Sequence, residues 1–182
     1  GYETHKMYAG GNYAYCVQPS KKTPQSGTYE KHYDVENYVS NAGDETQALQ
    51  SRNLAYYCWG APGFSASYFP STWYDGSAMD DDKYIALSHI MLSFLVSYDE
   101  VGSMHGCNSS FKNWVYQNVL GYNANGDLVN GQATLPILCW ATAPASFKVY
   151  ILSTGSATQN ILGYEYTPTG TVSLSKTSAN TG

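Results

Sequence analysis

The sequence predicts an α+β protein: terminal β-strands forming a β-sandwich or barrel-like sheet region, with a helical subdomain inserted at about residues 44–121. Aromatic and β-branched runs bounded by turn residues lie at both ends of the chain. Between them stand stretches with helical periodicity and recognisable caps. A length of 182 residues gives one domain room for a proper core.

Residues 5–18 read as β, broken at Gly10-Gly11 by a bulge or tight turn. Within them Tyr13-Ala14-Tyr15-Cys16-Val17 is a short strand, and Pro19 closes it because proline has no N–H for a ladder. A lone cysteine there reads first as a small buried hydrophobe. Residues 19–43 are mostly loop. Asp44 caps a helix, with Gln47 at the third helical position as a capping-box variant. That helix carries Leu49, Leu54 and Ala55 and stops at Gly60-Ala61-Pro62-Gly63. A Gly/Pro/Ser/aromatic loop follows over 61–79.

Asp80-Asp81-Asp82 place negative charge where a helix dipole favours it, so a helix runs from about 80 to 98. Ile85, His89, Leu92 and Val96 share one face, and Tyr84, Leu87, Met91, Phe94 and Tyr98 cover the next. Apolar over so much of its surface, it should be the central buried helix. On these residues alone, His89 reads as a hydrogen-bonded core histidine. Asn108 or Ser109 caps a third helix with Phe111, Trp114, Val115 and Val119, ending before Gly121. Residues 123–127 make a turn. Leu135–Trp140, Phe147–Leu152, Asn160–Tyr166 and Thr171–Leu174 read as strands.

Composition narrows the function. Charged residues make up 13%, about half the usual share. The net charge is −5 without a basic run, which argues against nucleic acid. The longest apolar stretch is too short to insert in a membrane. The chain opens Gly1-Tyr2-Glu3-Thr4 without a leader, so an excised mature segment is expected, and its 18 tyrosines, 17 glycines and few charges suggest an extracellular or cell-wall-exposed protein. Cysteines at 16, 58, 107 and 139 allow three full pairings. No CxxC spacing points to zinc, and no metal or cofactor is expected.

Beside these, several motifs occur in a particular order: Tyr15-Cys16-Val17, then Tyr57-Cys58-Trp59-Gly60-Ala61-Pro62-Gly63, then Leu87-Ser88-His89-Ile90, then Pro144-Ala145-Ser146-Phe147-Lys148-Val149-Tyr150, and finally Gln159-Asn160-Ile161-Leu162-Gly163. The series resembles the thioester domains of Gram-positive surface adhesins over about residues 8–166. The resemblance implies an internal thioester joining Cys16 to Gln159. One departure concerns the central helix, where many members have Thr-Gln-x-Ala and this chain has Ser88-His89-Ile90-Met91. Thr46-Gln47-Ala48 lies on the preceding helix and is not its equivalent. His89 is then a candidate for proton transfer, because imidazole titrates near neutrality.

The implied chemistry is physically coherent. The thiol attacks the Gln159 carboxamide and expels ammonia, helped by proximity and exclusion of water. An amine then attacks the former glutamine carbonyl and frees Cys16. Tyr13 and Tyr15 are the aromatic neighbours expected to shield the bond. The resemblance implies a single-use covalent adhesin rather than a turning-over enzyme. It would attach through an amine nucleophile to a host surface or matrix protein, as a monomer within a larger cell-wall-anchored chain. Residues 1–168 form the thioester domain on this reading. Residues 169–182 resemble the linker and first strand of an immunoglobulin-like stalk domain, with Lys176 at the position that makes an isopeptide bond there. Two alternatives remain open: a non-covalent β-sandwich binding module, and a cysteine hydrolase or transglutaminase using Cys16 and one of the four histidines.

Overall fold

Gly10 and Gly11 start the sheet. Their φ values of 59° and 83° are those of a two-residue hairpin turn, which strains residues with a Cβ but not glycines. The turn joins β1 (Met7–Ala9) to β2 (Asn12–Cys16). The protein is described from a computed structural model over residues 5–98, 104–168, 170 and 172–179. Beyond the hairpin come β3 (Lys31–His32), β4 (Phe147–Leu152) and β5 (Ile161–Tyr166). Together they form one antiparallel sheet in the order β1-β2-β5-β4-β3. The expected neighbourhood of the early strand and the last strand is direct: Tyr15 pairs Leu162 and Cys16 pairs Ile161.

Among the described residues four α-helices lie between the sheet's early and late strands. α1 (Glu45–Tyr57) begins as expected, with the Asp44 carboxylate accepting the Gln47 amide at 3.0 Å. Only half of a capping box forms. The Gln47 side chain turns inward instead and donates to the Leu95 carbonyl at 2.8 Å. α2 (Asp81–Ser97) is capped by Asp80 and buried along most of its length. α3 (Ser109–Val115) is capped by Asn108 and runs on through a π-type turn at Tyr116–Leu120. α4 (Thr134–Cys139) stands where a strand was expected at Leu135–Trp140. Proline explains it: Pro136 fits the first turn of a helix, where its missing N–H is not needed, but has no place in a paired strand. A short apolar run does not otherwise separate the two states.

The α+β class stands, but the sandwich does not appear. Among the described residues the strands make one five-stranded sheet. Two runs read as strands are not in it: Leu135–Trp140 gives α4, and Val172–Leu174 belong to no strand. Val172 and Leu174 are almost fully exposed. Thr171, with residues 169 and 180–182 of the expected stalk strand, lies outside the described residues. No helix among the described residues is long and apolar enough to cross a membrane.

The single sheet therefore has two unlike faces. Tyr13, Tyr15, Val17, Leu162 and Tyr164 point into the main core, where α1 and α2 pack. Ala14, Cys16 and Ile161 point the other way, into a small cluster with Met7, Ala9 and Leu152. The strand period of two makes the division.

Candidate functional site

Cys16 is the last residue of β2. The ladder with β1 ends at the Met7–Ala14 pair, so it does not reach Cys16. The outward amide and carbonyl of Cys16 need other partners, since unpaired buried backbone groups are costly. α2 provides them. Nδ1 of His89 accepts the Cys16 amide at 3.2 Å, and the Ser93 hydroxyl donates to the Cys16 carbonyl at 3.3 Å. One turn on, the Ser97 hydroxyl donates to the Val17 carbonyl at 2.5 Å. His89, Ser93 and Ser97 recur every four residues, which puts them on one stripe of α2. Their spacing on an otherwise apolar helix was the sequence signal for this cradle, and only His89 was singled out from it.

His89 is fully enclosed, and burial pulls its pKa down from 6.5 to about 4, so the ring is neutral. Nδ1 accepts, so Nε2 carries the proton and donates to the Tyr13 hydroxyl at 3.0 Å. The rings of Tyr13 and Tyr15 enclose the imidazole with centroids at 5.9 and 5.6 Å. His89 thus meets Cys16 through the backbone amide, on the helix side of the sheet. The Cys16 side chain leaves from the opposite side.

That placement corrects the expected shield. Tyr13 and Tyr15 face the helices, not the thiol. Met7 covers it instead, its Sδ 3.4 Å from Cys16 Sγ. In this apolar nest burial pushes the Cys16 thiol up to about 12, so it is protonated at neutral pH.

Gln159 is reached through the register. Beyond the Cys16–Ile161 pair the Val17 amide donates to the Asn160 carbonyl at 3.3 Å. Gln159 is therefore two residues along from the partner of Cys16, the diagonal position that long side chains span. Its backbone is pinned at both ends. Its amide donates to the Lys22 carbonyl at 2.9 Å, and its carbonyl accepts the Thr154 hydroxyl at 2.7 Å. The next amide, of Asn160, donates to Gln18 Oε1 at 2.9 Å. Gln159 is only 4% exposed, and its side-chain Oε1 is buried without a hydrogen-bond partner. Such an orphan costs on the order of 1–3 kcal/mol and calls for an explanation.

The Cys58–Gly63 turn buttresses the pair from the helix side. The Tyr15 hydroxyl donates to the Trp59 carbonyl and the Tyr164 hydroxyl to the Gly60 carbonyl, each at 2.8 Å, while the Trp59 amide donates to Ser88 at 3.0 Å. Gly60 has φ 87°, and a Cβ there would lie 2.7 Å from Tyr13. Only glycine lets the turn close on the strand. None of the four cysteines is paired with another. Among the described residues no three His, Cys, Asp or Glu side chains stand together to hold a metal ion.

The Thioester domain family matches residues 1–125, and the chain belongs to it. The matched stretch contains Cys16, the Cys58–Gly63 turn and α2 with His89, and it ends before Gln159. Neither the curated proteins nor the solved structures gave a match.

Proposed function

We propose that the Cys16 sulfur forms a thioester with the side-chain carbonyl of Gln159, and that the domain spends this bond once to attach covalently to an amine on a host ligand. The observation that carries the reading is Gln159 itself: a carboxamide buried at the diagonal from Cys16 with its oxygen unpaired. Formation joins Cys16 Sγ to the Gln159 side-chain carbon and releases ammonia with the thiol proton. In use, an amine nitrogen bonds to that carbon, the C–S bond breaks, and the ammonium proton ends on Cys16 as a thiol. The product is an amide cross-link. Cys16 returns as a thiol but the Gln159 carbonyl stays in the cross-link, so the thioester is not regenerated and the domain is a single-use adhesin, not a turning-over enzyme.

The nucleophile is a lysine amine on a surface or matrix protein, and the domain sits in a wall-anchored extracellular chain. A cysteine hydrolase would need a thiolate at neutral pH, whereas burial raises the Cys16 thiol to about 12. Intact-protein mass tests the proposal. The folded chain is expected to be lighter than its sequence by one ammonia, and Cys16→Ala and Gln159→Ala are each expected to remove that deficit. A freshly folded wild-type chain at its full sequence mass, with Gln159 not hydrolysed to glutamate, defeats it.

A further inference from the structure

Helices cover one face of the sheet, and the other carries a cleft of about 700 Å³. One wall is the β1 hairpin from His5 to Gly10, and the other is the loop from Thr23 to Tyr29. Its floor near β2 is Met7, Leu152 and Ile161, three of the side chains that enclose Cys16. Met7 therefore has one side on the cleft and its sulfur 3.4 Å from the thiol. Resting on the thioester reading, we propose that this cleft is the route by which the nucleophile arrives, that Met7 is the cover it displaces, and that the site selects an unbranched primary amine in its neutral form.

Three features of the route argue for this. Met7 sits on a three-residue edge strand that, among the described residues, pairs with β2 alone. Methionine is unbranched and has several rotatable bonds, so its side chain swings aside at small cost. The floor is apolar, and stripping water from an ammonium there costs far more than stripping it from a neutral amine. Among the described residues the charged side chains of the lining are Lys6 and Lys31, with His5 beside them and no carboxylate. Asp82 and Glu165 pair with those lysines at 3.5 and 2.7 Å and do not themselves line the cleft. A cation gains no carboxylate among these lining residues, and a slender neutral amine meets the smaller desolvation cost. Attack then proceeds as above: nitrogen bonds to the Gln159 carbon, the C–S bond breaks, and the proton from nitrogen leaves with the Cys16 sulfur.

The test uses the chain in which the loss of ammonia has been confirmed by mass. Rates of hydrolysis and of adduct formation are followed for wild type, Met7→Ala, Met7→Leu and Met7→Phe with n-butylamine and tert-butylamine. Met7→Ala is expected to speed hydrolysis and n-butylamine addition on the order of tenfold, and to shrink the preference over tert-butylamine. Met7→Leu is expected to return both toward wild type, and Met7→Phe to slow n-butylamine severalfold. Should Met7→Ala not fold, Met7→Phe decides. Wild-type rates and selectivity in the folded variants overturn the Met7 proposal while the thioester stands; a wild-type chain that never loses ammonia overturns both.

Discussion

Nδ1 of His89 accepts the backbone amide of Cys16 at 3.2 Å, which ties the central helix to the strand at the residue whose side chain leaves on the other face. The bond also fixes the proton on Nε2, toward the Tyr13 hydroxyl. Protonating the ring would set a second N–H against the Cys16 amide.

Stability should follow this ring. Its pKa is near 6.5 unfolded and about 4 folded, so between those values the unfolded chain binds more protons. Stability is fully present above 6.5 and is lost as pH falls toward 4, by about 3 kcal/mol. His89→Gln should start less stable but lose that part of the pH slope. Urea midpoints across the window check it, and a wild-type slope in the variant refutes it.

His89 was also a candidate for proton transfer in the acyl chemistry. The ring's hydrogen bonds go to the Cys16 amide and the Tyr13 hydroxyl, on the helix side. Methylamine addition to His89→Gln is therefore expected to keep the wild-type pH profile from about pH 6 to about pH 9, with any change confined to the yield of thioester. A profile that loses an inflection near the imidazole pKa would restore the catalytic role.

The thiol count should change once. With no disulfide among the four cysteines, iodoacetamide under rapid acid-quenched denaturation should label Cys58, Cys107 and Cys139 only. After methylamine treatment it should label Cys16 as well. Four labels without treatment would contradict the thioester.

Gln18 holds the backbone beside Gln159 by accepting the Asn160 amide at 2.9 Å. Gln18→Ala should cost about 1 kcal/mol and lower the fraction of molecules that lack ammonia. Mass spectrometry and a urea melt read both. Full thioester yield would show that the strand pairing alone suffices.

Gly163 lies beneath Tyr150, whose ring would stand 2.5 Å from any Cβ added there. Tyr150 is the register partner of Gly163 and is almost fully buried on the cleft side. Gly163→Ala should destabilise by about 1–3 kcal/mol, visible as a lower thermal midpoint. Tyr150→Leu in the same chain should recover part of the loss, because the ring is what the methyl meets.

The sequence by itself determined the local elements. Asp44, Asp80 and Asn108 cap their helices because short polar side chains satisfy the first free amides, and Gly10-Gly11 turns the hairpin. The order of motifs was enough to nominate Cys16 and Gln159. Strand parity was also legible: Tyr13 and Tyr15 alternate with Cys16, so the tyrosines expected to shield it had to face away. Tertiary structure decided what alternation leaves open, namely which face the helices cover. Packing α2 on the tyrosine face put His89 behind the strand and left the thiol to Met7. Leu135–Cys139 became helix because Pro136 has no amide for a ladder, a preference that the apolar run concealed. The partner of Cys16 depends on register between strands far apart in the chain, and only the closed sheet sets that register.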